Sequence, residues 1–158
     1  MTSYERFAEF YDAVMGDRRA AAQQVMKLIR SAKPDAKKLL ELGCGTGSIL
    51  KRLQDAYEVS GLDISGKMLS VARKKVPRSK LFRQDMIDFP IDDRFDVIVC
   101  VFDSINHVRR FSDWKKVFAA CADIDCQVAA SSLTSTHSGS SNASSPGHPG
   151  CIGSEGTC

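Results

Sequence analysis

Residues Leu39 to Gly47 read Leu-Leu-Glu-Leu-Gly-Cys-Gly-Thr-Gly, an apolar run that stops in three glycines spaced one residue apart. Glycine lets a chain turn where a Cβ would clash, and lets a ligand approach the backbone closely. Ser48 to Ala56, with Ile49, Leu50 and Leu53 apolar, reads as the helix behind the turn, and its first N–H groups would face whatever the loop holds. The next strand, Glu58 to Asp63, ends in an acid 20 residues past Gly43. In doubly wound nucleotide-binding folds an acid at about this distance accepts hydrogen bonds from ribose hydroxyls, because two carboxylate oxygens match a vicinal diol.

The rest of the chain repeats the strand–helix alternation. Two helices come first, over residues 4 to 14 (Tyr4, Phe7, Phe10, Tyr11 and Val14 on one face) and from Asp17 to Ala32, stopped by Pro34. Ser65 is an N-cap for a helix to Lys75 with Met68, Leu69, Ala72 and Val76 inward. Lys80 to Gln84 is a weak strand and Phe95 to Phe102 a strong one. Continuous apolarity from Val97 to Phe102 is how a strand reads when helices cover both faces of a parallel sheet. A last helix, Ser112 to Ala122, is expected to be capped by Ser112 and to bury Trp114, Val117, Phe118 and Cys121. The pattern predicts an α/β fold, a Rossmann-like doubly wound parallel sheet with right-handed crossovers.

Residues 1–122 are assigned to this domain and 123–158 to a Ser/Gly-rich tail, too poor in apolar side chains to offset its ordering entropy. Charge marks the same division: all 22 Lys and Arg lie before position 117, and only three of the 19 acids follow it. The net charge of +3 argues for neither nucleic acid nor an anionic membrane as partner. No apolar run is long enough for a transmembrane helix, and Glu5, Arg6 and Glu9 make the first ten residues unlike a secretory signal. A cytoplasmic protein with reduced thiols is expected. None of the six cysteines forms a CxxC pair or a zinc spacing with histidine, so no metal is expected.

Four segments in order, Glu41 to Gly47 (ELGCGTG), Gly61 to Ser65 (GLDIS), Gln84 to Phe89 (QDMIDF) and Arg94 to Val108 (RFDVIVCVFDSINHV), resemble the class I S-adenosylmethionine-dependent methyltransferases, from about Tyr4 to Phe118. The resemblance implies S-adenosyl-L-methionine as cofactor and a small-molecule methyl acceptor. Gly43 and Gly45 would pass under the methionine part, with Glu41 near its amino group. Asp63 would hold the ribose, and Asp85 and the Met86 backbone the adenine. Asp103 would lie near the methionine or the acceptor, and Tyr11 in a segment that folds over the cofactor. The family's first four strands are ordered 3-2-1-4. Beyond Ala122 this chain departs from the family pattern, with at most a strand fragment at Gln127 to Ala130, so Phe95 to Phe102 is expected to be an exposed edge that promotes self-association.

Methyl transfer from a sulfonium needs alignment of donor and acceptor. A general base is needed only where the acceptor starts protonated, and His107, four residues after Asp103, is the candidate, with a surface or capping role as its alternative. Two other readings stay open: a cofactor-binding fragment without activity, and a nicotinamide-dependent dehydrogenase. The latter prefers GxGxxG, where this chain has Ser48 in place of the third glycine.

Overall fold

The computed structural model describes residues 8, 10–102, 104–123 and 127–130. Five strands form one sheet: β1 (Lys38–Leu42), β2 (Glu58–Asp63), β3 (Lys80–Arg83), β4 (Val97–Cys100) and β5 (Gln127–Ala130), in the order β3-β2-β1-β4-β5. Every pairing is parallel. The helices are α1 (Tyr11–Met15), α2 (Arg19–Ala32), α3 (Leu50–Leu53), α4 (Gly66–Lys75) and α5 (Phe111–Asp123), with a 3₁₀ turn at Ser104–His107.

The central strands are apolar throughout because successive side chains feed two different cores. Leu39, Val59, Val97 and Val99 pack with Ala22, Val25 and Ile29 of α2 and with Leu50 and Leu53 of α3. Leu40, Leu42, Leu62 and Ile98 pack on the other face with Phe89, Phe95, and Val117 and Cys121 of α5. Register between β1 and β4 is pinned at the opening end by Asp96. Its Oδ2 accepts the Lys37 and Lys38 N–H groups, both at 2.8 Å, and its own N–H donates to the Lys38 carbonyl at 2.9 Å.

β1, β2 and α4 lie where the sequence places them, and Ser65 does cap α4, its hydroxyl accepting the Met68 N–H at 3.3 Å. The first four strands lie in the expected order 3-2-1-4, and the expectation of β4 as an open edge is corrected. Val97 to Cys100 pair residue for residue with Gln127 to Ala130. An unpaired ladder on a buried strand is a strong template, and four uncharged, proline-free residues suffice to meet it. The sheet therefore reaches past residue 122, and β5 forms its outer edge. Residues 131–158, most of the Ser/Gly-rich stretch, lie outside the described residues.

Helix α5 differs from expectation in two ways. It begins at Phe111, so Ser112 sits inside the first turn, and the Arg110 carbonyl accepts the Asp113 and Trp114 N–H groups instead. Phe118 is 45% exposed. The helix turns Val117 and Cys121, one turn apart, to the sheet, which leaves Phe118 on the flank. Helix α1 starts at Tyr11, and the earlier part of the expected N-terminal helix, with Tyr4, lies among residues not described.

Gly61 in β2 marks where the Gly-rich loop is pressed against the sheet. A Cβ built there would lie 2.7 Å from both Cys44 Sγ and Leu50 Cδ1. Leu50 is wholly buried and Cys44 nearly so, so neither can give way. Gly61→Ala is expected to lower stability by about 1–3 kcal/mol through overpacking, read as a reduced urea midpoint at unchanged slope.

Candidate functional site

In an all-parallel sheet the carboxyl ends of the strands gather at one edge, and a crevice forms where the strand order reverses. Here the reversal lies between β1 and β4, and a cavity of about 480 Å³ opens there. Its wall draws Gly43 and Gly45 from the loop after β1, Asp63 to Ser65 from β2, Gln84 to Ile87 from beyond β3, and Phe102, Ser104 and His107 from beyond β4. Tyr11 of α1 closes one side.

Asp63 ties the loop to the second strand. Its Oδ2 accepts the Gly45 N–H at 2.7 Å and its Oδ1 accepts the Ser65 N–H at 2.8 Å. One carboxylate thereby sets both the curve of the loop and the start of α4. The three loop glycines have different neighbours. A Cβ on Gly43 would sit 2.6 Å from Ser104 Cβ, and one on Gly47 would sit 3.0 Å from Ala72 Cβ. A Cβ on Gly45 would meet nothing within 4 Å, and the residue holds φ +53°, a conformation that disfavours a side chain. Gly43 and Gly47 are small so that the protein can close on itself, whereas Gly45 leaves room for something else.

Two carboxyls stand close together in this region. Glu41, 2% exposed, has an Oε2 with no hydrogen-bond partner among the described residues. Burial, and then the neighbouring Asp63 charge, hold its pKa well above the usual carboxylate range. Burial also raises Asp63, while the N–H groups of Ser65 and Gly45 and the nearby His107 pull it back. Desolvation pushes the Cys100 thiol up to about 12 and the Cys44 thiol upward as well, so neither is poised as a nucleophile. Among the described residues no cluster of His, Cys, Asp or Glu could hold a metal ion, and no helix is long and apolar enough to cross a membrane.

The structure brings Tyr11, Gly43, Gly45, Asp63, Asp85, Met86 and His107 to one cavity and places Glu41 next to Asp63, behind its lining. Asp103 lies outside the described residues, between Phe102 and Ser104, which both line the cavity. The sequence reading missed several participants. Phe102 adopts φ 56° and carries the Arg18 guanidinium 3.9 Å above its ring. Gln84 lines the cavity with its Oε1 buried and unpartnered among the described residues. Asp12 accepts the hydroxyls of Thr46 and Ser48, each at 2.7 Å, and pairs with Lys75. Two hydroxyl residues flanking Gly47 were the only sequence signal for that last cluster.

Residues 39–124 match the family model described as "Methyltransferase domain". The chain belongs to the class I S-adenosylmethionine-dependent methyltransferases. The chain is 35% identical over 70% of its length to dTDP-4-amino-2,3,4,6-tetradeoxy-D-glucose N,N-dimethyltransferase of Saccharopolyspora spinosa, covering 46% of that protein. It is 37% identical over 73% of its length to a Bacillus subtilis protein named putative methyltransferase YqeM, covering 48% of it. Among solved structures it resembles CalS10, an amino pentose methyltransferase from Micromonospora echinaspora determined with S-adenosylmethionine bound. The TM-score is 0.67 and the identity 31%, over 78% of this chain and 51% of that one. The chain thus spans about half the length of the relatives it matches. The fold, the glycine loop and the family together displace the dehydrogenase reading.

Because Glu41 and Asp63 keep protons in the folded state that the unfolded chain gives up, stability falls as pH rises from the unfolded carboxyl values toward the folded ones. Replacement by a neutral isostere removes the Glu41 share. Urea unfolding of the wild type should show stability declining as pH rises above the ordinary carboxylate range, and Glu41→Gln a shallower decline. Parallel declines would mean that Glu41 is not the group holding the proton.

Proposed function

We propose that the cavity takes S-adenosylmethionine and that the domain serves methyl transfer to a small molecule bearing an amine. The observation that carries this reading is the Asp63–Gly45 pairing beside a glycine whose missing side chain opens onto empty space. The residues present fit the cofactor. Each Asp63 oxygen accepts one backbone N–H and can accept once more, which suits the two hydroxyls of a ribose. Glu41, with a buried oxygen lacking a partner among the described residues, suits the amino group of the methionine portion, which would run over Gly43 and Gly45. Asp85 and Met86, past the end of β3, would meet the adenine. Asp103 is proposed for the methionine side or the acceptor.

When bound, S-adenosylmethionine supplies a methyl group on positively charged sulfur, activated toward in-line displacement. The protein then has to align the acceptor and keep water out, and alignment alone supplies much of such a rate. Tyr11 covers one side of the cavity and His107 stands on the wall past β4. An amine acceptor attacks through its lone pair and must shed a proton afterwards, and the His107 imidazole is the proposed recipient. An amino-sugar acceptor is supported by relatives named as amino-sugar N,N-dimethyltransferases.

Calorimetry with S-adenosylhomocysteine tests the cofactor reading directly. Gly45→Val is expected to abolish binding, since a branched side chain at φ +53° both strains the loop and fills the open space. Equal affinity in wild type and variant would overturn the reading. Asp63→Ala is expected to weaken binding by roughly 1–3 kcal/mol, and to weaken a 2′-deoxyribose analogue much less. Matching losses for the two ligands would place Asp63 away from the sugar.

A further inference from the structure

Helix α1 has five residues and buries none of them. Val14 and Met15 on it, and Phe10 just before it, are exposed. A single turn and a half of helix does not hold itself in water, and this one gains little from apolar packing. Asp12 ties it to the body of the protein. Its Oδ1 accepts the Thr46 and Ser48 hydroxyls at 2.7 Å, its Oδ2 pairs with the Lys75 ammonium, and Lys75 in turn donates to Ser48 at 2.9 Å. Thr46 is 1% exposed, so its hydroxyl has little access to water as an alternative partner. Burial pushes the Asp12 carboxyl up, and the donors from Lys75, Thr46 and Ser48 more than offset it, so the group is firmly charged.

The contact falls on the Gly-rich loop itself. Gly45 is held by Asp63 from below, and the next residue, Thr46, is held by Asp12 from above. Tyr11, which lines the cavity, precedes Asp12 on α1. From this geometry we infer that Asp12 is a positioning residue: it clasps α1 to the Gly-rich loop and thereby keeps Tyr11 over the cavity, so that release of a bound cofactor requires the clasp to open. The inference rests on the cofactor reading above. It adds that the lid is held by a carboxylate reading the outer side of the same loop whose inner side faces the ligand. Because one short segment carries both contacts, a ligand that steadies the loop also steadies the clasp.

Two measurements on the full 158-residue chain test it. Hydrogen exchange by mass spectrometry follows residues 11–16 in the free protein, where the Val14 and Gly16 amides donate to Phe10 and Asp12 carbonyls. Asp12→Ala should speed that exchange about tenfold and leave β1 unchanged. S-adenosylhomocysteine release, followed by stopped flow, should become about tenfold faster in Asp12→Ala and recover in part in Asp12→Glu. Tyr11→Ala should also speed release, and the double variant should release no faster than Tyr11→Ala alone, because Asp12 acts through Tyr11. Unchanged exchange at 11–16 overturns the clasp. Faster exchange with unchanged release, or additive effects in the double variant, overturns its hold on the ligand. A wild-type chain with no affinity for S-adenosylhomocysteine overturns the cofactor reading instead, and the exchange arm still decides the clasp.

Discussion

The site depends on a carboxylate that hydrogen-bonds two backbone N–H groups from different loops. Asp63 takes one proton donor from the Gly-rich loop and one from the start of α4. Both donors belong to segments that would otherwise leave buried N–H groups unpaired, so the carboxylate satisfies the backbone and shapes the cavity in one act. The same two bonds keep Asp63 from following Glu41 to a far higher pKa in a region that disfavours charge. Burial thus shifts both neighbouring acids in the same direction, and the two N–H donors limit the shift at Asp63.

Around that point the fold supplies rigidity by close approach. Gly61 admits Cys44 and Leu50, Gly43 admits Ser104, and Gly47 admits Ala72. Each contact joins the loop after β1 to a different element, so the loop is fixed from β2, from the segment past β4 and from α4 at once. The outer fixation, by Asp12, comes from a helix with little apolar anchoring of its own. A site floored by packed elements and roofed by a polar contact has one rigid side and one side that can open.

Much of this was legible in the sequence. β1 and β2 are apolar runs with sharp chemical ends, glycine for one and aspartate for the other, and α4 lies between a serine cap and Pro77. The cavity residues Gly43, Gly45, Asp63, Asp85 and Met86 follow from spacing and resemblance because they sit directly after strands. β5 was seen only as a fragment, since Gln-Val-Ala-Ala carries little strand signal and takes its conformation from pairing with β4. Phe118 was misplaced because a helical apolar stripe spans an arc of about 100°, and only the sheet decides which edge of it is covered. Asp12 was invisible for a different reason: its partners lie 34, 36 and 63 residues away, and no local pattern announces such a meeting.

The contact between Gly47 and Ala72 ties the histories of two distant positions together. With the Cβ position of one residue 3.0 Å from the methyl of the other, they share a single volume. A larger residue on that face of α4 cannot be absorbed by the helix moving outward alone, because Val76 also borders the glycine. The helix would have to carry the loop with it, and with the loop the N–H that Asp63 holds. Drift on the face of α4 that packs against the loop is therefore registered at the cavity, so the dimensions of the site are inherited through α4 as much as through the glycines themselves.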